Sequence, residues 1–125
     1  MTPGENQTTA DRGAGIEILS VPGELDLFTS EGVVAQGYAA IARAARLLLL
    51  DLAGVSFCDA RGLSAFVRIA NQADAAGCGF GLIAPRSPVV QILRISGLDS
   101  RIAMFATIDD ARALAYVPGN AAAGS

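Results

Sequence analysis

The sequence contains no histidine and only two cysteines, and all nine of its cations are arginine. Without histidine, the chain lacks the commonest general base and the commonest ligand of transition metals. Neither cysteine, Cys58 or Cys78, belongs to a CxxC motif. The arginines are scattered along the chain, so no basic stripe marks a nucleic-acid-binding face. We therefore expect no cofactor and no direct binding of nucleic acid.

Long apolar runs and a secretory signal are also missing. No apolar run approaches the roughly 20 residues that span a membrane, and the run at Leu47–Leu52 is interrupted by Asp51. Residues 1–15 are polar and lack a basic stretch followed by an apolar one, so no signal peptide is indicated and the cytoplasm is the expected compartment. The net charge of −3 and the pI of about 4.7 favour a protein partner or none, and no membrane partner.

What is present is enough apolar sequence for one core, since 52% of the 125 residues are hydrophobic. The composition divides the chain into three parts. Residues 1–15 are predicted to be a disordered lead, residues 16–116 one folded domain, and residues 117–125 a Gly- and Ala-rich flexible tail.

The spacing of apolar residues predicts the order β-β-α-β-α-β-α-β-α. This is an α/β domain with a mixed, mostly parallel sheet of about five strands and about four helices. The first strand is expected at an edge and paired antiparallel with the second, and the Leu47 strand parallel to the second. The predicted strands are 16–19, 25–28, 47–52, 78–84 and 102–105, and the helices begin near 29, 59, 87 and 107. The predicted core faces of the first two helices are Val34, Tyr38, Ile41 and Ala45, then Leu63, Phe66, Val67, Ala70 and Ala73.

One strand–loop–helix segment is the predicted functional site, because α/β proteins bind at the carboxyl ends of strands. The apolar strand at Leu47 ends near Asp51, whose carboxylate is expected to bond loop amides. Asp59 is a preferred residue for capping the following helix. Cys58 is either a small apolar plug or a thiol of lowered pKa, and its distance from Cys78 excludes a disulfide. Acid–base catalysis by the nearby carboxylates would lack a nucleophile, so we expect no enzyme.

Five segments in this order resemble the STAS domain and, more narrowly, the bacterial anti-sigma-factor antagonists. They are Gly23–Asp26, Leu50–Leu52, Phe57–Leu63, Ile95–Asp99 and Asp109–Ala113. The resemblance covers nearly all of the predicted domain. It implies a STAS-like fold and a role in partner switching, in which the antagonist binds an anti-sigma factor, usually one with a kinase-like ATPase domain, and frees a sigma factor.

In the family's Asp-Ser-(Ser/Thr)-Gly-Leu motif, the kinase phosphorylates the first serine, and phosphorylation ends binding. That serine corresponds to Ala60, which has no hydroxyl. Arg61 takes the next position, which is usually small and hydroxylic, and it either selects a different partner or pairs with Asp59 or Asp26. The resemblance therefore predicts docking that is not switched at the usual position.

The resemblance places the partner-binding surface on the loop and on the exposed side of the helix. Its residues are Asp26, Cys58, Asp59, Ala60, Arg61, Gly62, Ser64 and Arg68. Ser56 and Ser64 remain as hydroxyls that a kinase could use. The alternative function is a STAS module that binds a small molecule or lipid, or that serves in a transport complex. Strand edges such as Ile16–Leu19 leave homodimerisation open.

Overall fold

The computed structural model describes residues 7–11, 15–21, 23–43 and 46–115. Its strands are β1 (Gln7–Asp11), β2 (Ile16–Ser20), β3 (Gly23–Leu25), β4 (Leu47–Asp51), β5 (Val55–Cys58), β6 (Gly79–Ile83) and β7 (Ala103–Phe105). Its helices are α1 (Ser30–Ala42), α2 (Ala60–Ala75), α3 (Ser87–Ser96) and α4 (Ile108–Ala115), with a short 3-10 helix at Leu98–Ser100.

The main sheet has five strands in the order β1-β2-β4-β6-β7. Only β1 runs antiparallel to its neighbour, and the other pairs are parallel. The remaining strands, β3 and β5, form a separate parallel pair. The predicted α/β class, with a mixed and mostly parallel sheet and four helices, is confirmed.

The β4 strand lies at the centre of the core, as its apolar run predicts. Leu48, Leu49 and Leu50 are each 0% exposed. Leu48 and Leu50 belong to the larger cluster, which α1, α2 and α3 cover, whereas Leu49 belongs to the smaller cluster, which contains Ala111 of α4. The sheet is therefore apolar on both faces, which is why β4 lacks the polar–apolar alternation of a half-exposed strand.

The segment Gln7–Asp11 is a strand, so the predicted disordered lead is wrong for these residues. It pairs with β2 over five residues, from Gln7 opposite Ser20 to Asp11 opposite Ile16. Consequently β2 lies between β1 and β4 and is not an edge strand. The other residues of the lead, 1–6 and 12–14, and the predicted tail at 117–125 lie outside the described residues.

The predicted antiparallel hairpin of the first two strands is also wrong. After β2 the chain continues alongside the segment that follows β4, because the Val21 amide donates to Asp51 O and the Gly23 amide to Gly54 O, each at 3.0 Å. Gly23 has φ +70° and bends the chain without reversing it. Hence β3 pairs in parallel with β5, which lies in a segment predicted to be a loop. The β4 strand pairs with β2, and not with the strand directly before α1 as predicted.

The α1 helix buries a face shifted from the predicted one. Val34 and Ile41 are buried as expected, but Tyr38 is 37% exposed. The neighbouring Gly37 is buried in its place, where a Cβ would lie 2.9 Å from Ile69 Cδ1. The absence of a side chain at residue 37 therefore allows the close contact with α2. Ala45, the last residue of the predicted face, lies outside the described residues.

The α2 helix follows its predicted stripe in part. Phe66 and Ala73 are buried as expected, whereas Leu63, Val67 and Ala70 are half-buried. The buried positions also include Gly62, Ala65 and Ile69, which lie one or two residues before those three. Small apolar residues occur on several sides of this Ala-rich helix, so the sequence did not distinguish one buried stripe from the next.

A bidentate ion pair links β2 to the end of α1. Arg43 donates from Nε to Glu17 Oε2 at 2.9 Å and from Nη2 to Oε1 at 2.6 Å. The Glu17 side chain is only 12% exposed, whereas that of Arg43 is 46% exposed. This hydrogen bond to Glu17 raises the pKa of Arg43. The pair therefore satisfies a carboxylate that would otherwise be poorly solvated.

Replacing Arg43 with Met should destabilise the fold by removing two charged hydrogen bonds to the Glu17 carboxylate. We expect the free energy of unfolding to fall by about 1–2 kcal/mol, less than for a fully buried pair because water screens Arg43. Urea denaturation measures this change. Arg68→Met, which breaks the exposed pair with Glu31, is the control and should unfold like the wild type. An unchanged urea midpoint for Arg43→Met would contradict the assigned role.

Candidate functional site

The candidate site is the N-terminal end of α2, where Asp59 caps the helix as predicted. Asp59 has an extended backbone, and its Oδ1 accepts hydrogen bonds from the amides of Arg61 at 2.8 Å and Gly62 at 3.2 Å. Its own amide donates to Leu25 O at 3.1 Å. These bonds fix both the start of the helix and its attachment to the end of β3.

Gly62 allows α2 to begin directly against β3. A Cβ at this residue would lie 2.6 Å from Cys58 Sγ, 2.8 Å from Leu25 Cβ and 2.9 Å from Leu25 O. Two of these three atoms, Leu25 Cβ and Leu25 O, cannot move without shifting the backbone of β3. A residue with any side chain would therefore push the helix end away from the strand. Gly62 and Cys58, both predicted to bind the partner, are buried and act through packing.

Asp26 organises the turn that follows β3. Its Oδ1 accepts from the amides of Phe28 at 2.8 Å and Thr29 at 3.2 Å. The Thr29 hydroxyl donates to Glu24 O at 2.6 Å and accepts from the Asp26 amide at 3.1 Å. Asp26 lies at the same end of the β3–β5 pair as Asp59, because Leu25 is opposite Cys58. These four hydrogen bonds fix the conformation of the turn.

The exposed side of α2 carries the other predicted residues. Ala60, Ser64 and Arg68 are exposed and spaced four residues apart, so they line one side of the helix. Arg68 Nη1 donates to Glu31 Oε2 of α1 at 2.6 Å. The hydrogen bond to Glu31 is the main cause that raises the pKa of Arg68, and a hydrogen bond to Tyr38 raises it further. The structure therefore places Ala60 and Ser64 on a free helical surface and engages Arg68 with α1.

Arg61 is exposed in the first turn of α2, where the helix dipole is unfavourable for a cation. Within the described residues it forms no ion pair, so the alternative pairing with Asp59 or Asp26 is not observed. Both carboxylates instead accept hydrogen bonds from backbone amides. The guanidinium of Arg61 is consequently available to another molecule.

Both cysteines are buried free thiols. Burial, and then the nearby charge of Asp59, raises the pKa of Cys58 to about 11. Burial likewise raises the pKa of Cys78 to about 11. Cys58 therefore remains a protonated thiol at neutral pH and is not the activated nucleophile that a helix N-terminus can produce. It fills space beside Gly62, in agreement with its predicted role as an apolar plug.

The carboxylates near the loop have structural tasks. Asp51 Oδ1 accepts from the Ala53 amide at 3.0 Å, which confirms its predicted place at the exit of β4. Among the described residues no group of His, Cys, Asp and Glu side chains is arranged to hold a metal ion. Ser56, expected in a loop, is an exposed residue of β5. The site thus offers shape, charge and an exposed helix end.

Leu27 and Phe28 are exposed at this site, and the sequence pattern misassigned them. The apolar and polar residues of 25–28 alternate in part, which predicted a strand. Leu27 and Phe28 lie instead in the turn after β3 and are 54% and 88% exposed. Phe57 of β5 is 49% exposed. An Asp followed three residues later by Thr, directly before a helix, was the available indication of a turn.

An open groove lies elsewhere, at the carboxyl ends of β6 and β7. Its lining includes Pro85, Arg86, Arg94, Met104 and Phe105. It is the feature on which the alternative function, binding of a small molecule, would depend. No helix among the described residues is long and apolar enough to cross a membrane.

The sequence profile of the STAS domain family matches residues 7–111 of this sequence. The chain belongs to the STAS domain family. It is 29% identical over 104 residues to the anti-sigma-F factor antagonist RsfB of Mycobacterium tuberculosis, covering 83% of this chain and 84% of RsfB. The match to the family profile begins at Gln7, the first residue of β1, which agrees with the inclusion of that strand in the main sheet.

Solved structures share the fold of this STAS domain. An anti-sigma factor antagonist from Mycobacterium paratuberculosis has a TM-score of 0.71 and 28% identity, over 90% of this chain and 95% of that one. A sulfate transporter family protein from Wolinella succinogenes also has a TM-score of 0.71, at 20% identity over 81% of this chain and 84% of that one. The second likeness concerns the fold alone.

Gly62→Ala should destabilise the domain, because the new methyl group would overlap Leu25 and Cys58. We expect the free energy of unfolding to fall by about 2 kcal/mol, despite the higher helix propensity of Ala. Gly32→Ala is the matched control, since Gly32 is exposed in α1 and a methyl group there would meet nothing within 4 Å. Thermal denaturation should show a loss for residue 62 only; equal stability of the two variants would contradict the close contact.

Proposed function

We propose that this STAS domain is an anti-sigma factor antagonist, which binds an anti-sigma factor with a kinase-like ATPase domain and so releases a sigma factor. It acts by docking, with no catalysis of its own. The observation that carries the proposal is the exposed N-terminal end of α2, in a chain 28–29% identical to two antagonists over most of its length. Ala60, Arg61 and Ser64 are its exposed helical residues.

The charge at the start of α2 determines how this docking is regulated. A phosphoserine adds roughly −1.5 to −2 charges, which a helix N-terminus accommodates but a closely packed interface does not. Ala60 cannot carry such a charge. Phosphorylation at the family position therefore does not end docking by this chain, and docking is controlled by other means.

Two other hydroxyls are poor replacements for the missing serine. Ser56 lies within β5, which is paired with β3, and Ser64 lies in the second turn of α2. Neither hydroxyl lies at residue 60, the exposed start of α2 to which the family resemblance assigns phosphorylation. We therefore assign phosphorylation to neither residue.

The alternative function, a module for a small molecule, a lipid or a transport complex, has less support. The transporter likeness is at 20% identity, lower than either antagonist, and the groove between Arg86 and Phe105 is open to solvent. Purified anti-sigma factors separate the two functions, because only an antagonist binds a protein with a kinase-like ATPase domain.

Ala60→Glu should weaken binding to the anti-sigma factor by about 10- to 100-fold, because it places a fixed charge within the docking surface. Isothermal calorimetry measures the change in Kd. Ala75→Glu is the matched control, as the same substitution at an exposed alanine about 22 Å away along α2. An unchanged affinity for Ala60→Glu would reject this end of α2 as the docking site.

Ala60→Ser should restore the switch. Incubated with the anti-sigma factor and ATP, this variant should gain one phosphate by intact mass, whereas the wild type should gain none. Phosphorylation of the wild type would mean that a different hydroxyl serves as the acceptor and that docking is not constitutive.

A further inference from the structure

Three large apolar side chains lie exposed beside the start of α2. Phe28 is 88% exposed, Leu27 54% and Phe57 49%. Single exposed apolar residues are common on soluble proteins, but a cluster beside a candidate binding site marks an interaction surface. Elsewhere in the described part of the chain, the exposed large apolar residues are Tyr38 and Ile95, on α1 and α3 respectively.

The three residues lie near one another in the fold. Phe57 is opposite Glu24 in the β3–β5 pair, and Leu25 is opposite Cys58. Leu27 and Phe28 follow Leu25 by two and three residues, so their Cα atoms lie within roughly 15 Å of that of Phe57. The patch also adjoins the helix end, because β5 leads directly into Asp59.

The turn that carries Leu27 and Phe28 is held in place before any partner binds. The Asp26 carboxylate accepts from two amides of this turn, and the Thr29 hydroxyl donates to Glu24 O and accepts from the Asp26 amide. Ordering a loop during association costs affinity, and a preformed loop avoids that cost. Such a fixed, protruding aromatic residue is typical of the anchors that dominate binding at protein interfaces.

The carboxylates beside the patch favour a cationic group on the partner, whereas the exposed cation Arg61 lies at the start of α2. Glu24 is exposed next to Phe57 in register and forms no ion pair with any described residue. Asp26 adds a second carboxylate at the base of the turn. An apolar surface flanked by carboxylates is complementary to an apolar pocket flanked by a lysine or arginine.

We infer that Leu27, Phe28 and Phe57 form the apolar anchor of the docking surface, with Phe28 inserted into an apolar pocket of the anti-sigma factor. A cationic side chain at the edge of that pocket faces Glu24. This inference rests on the proposed function and adds the chemistry of the partner's surface to it. It also extends the docking surface from α2 onto the turn after β3.

The test compares Phe28→Ser with Ile95→Ser for binding to each purified kinase-like anti-sigma factor of the same genome. Ile95 is the matched control because it is 86% exposed, close to the C-terminal end of α3. We expect Phe28→Ser to weaken binding about 30-fold, and Ile95→Ser to leave Kd unchanged. Phe28→Leu should recover most of the affinity, and circular dichroism checks that all variants fold.

The charge component has its own variant. Glu24→Lys should weaken binding and should do so less at high salt, because screening reduces the new repulsion. An affinity unaffected by Glu24→Lys would remove the cationic side chain from the inference.

The outcomes separate this inference from the proposed function. If Ala60→Glu abolishes binding and Phe28→Ser does not alter it, the anchor is rejected and the antagonist function stands. If the wild type binds none of the anti-sigma factors, both are rejected. If sedimentation shows that Phe28→Ser dissociates a homodimer without changing partner affinity, the patch joins two copies of the chain and the inference is overturned.

Discussion

The close approach of Gly62 to the end of β3 determines the geometry of the candidate site. Because residue 62 has no side chain, α2 begins in contact with Leu25, and the Asp59 amide reaches the Leu25 carbonyl. The helix start, β5 and the turn after β3 therefore form one unit. Asp26 and Asp59 satisfy the backbone amides of that unit, and this leaves Ala60, Arg61 and Phe28 directed outward.

The geometry leaves one part of the domain suited to docking. The main sheet is covered on both faces, and its central strand is inaccessible. The proposed docking surface therefore lies on the elements beside the main sheet, whose backbone is fixed by hydrogen bonds. Under the proposed function, Ala60 would alter the regulation of docking and not the shape of the surface, since an alanine occupies a helical position as readily as a serine.

The sequence predicted those structural features that arise from interactions between residues close together in the chain. The apolar run of β4 and the cap at Asp59 are local features, and both predictions were confirmed. The strand β1 and the β3–β5 pair form because of partner strands elsewhere in the sequence. The polar segment of β1 was therefore predicted to be disordered, and the turn before β3 was predicted to close an antiparallel hairpin.

The same division holds within the candidate site. The residue types in the Phe57–Leu63 segment indicated where the site is, and Asp59 was assigned its cap correctly. The burial of Cys58 and Gly62 and the exposure of Phe28 depend on how α2 meets β3, which no pattern along one segment contains. For this reason the sequence could not indicate that Cys58 and Gly62 are buried and that Phe28 is exposed.

The most direct test of the docking site is an NMR titration of the ¹⁵N-labelled chain with its anti-sigma factor. The account predicts that amide resonances of the turn at Asp26–Thr29 and of the start of α2 at Asp59–Ser64 shift together on binding. Shifts confined to the groove around Arg86 and Met104, with the start of α2 unaffected, would contradict it.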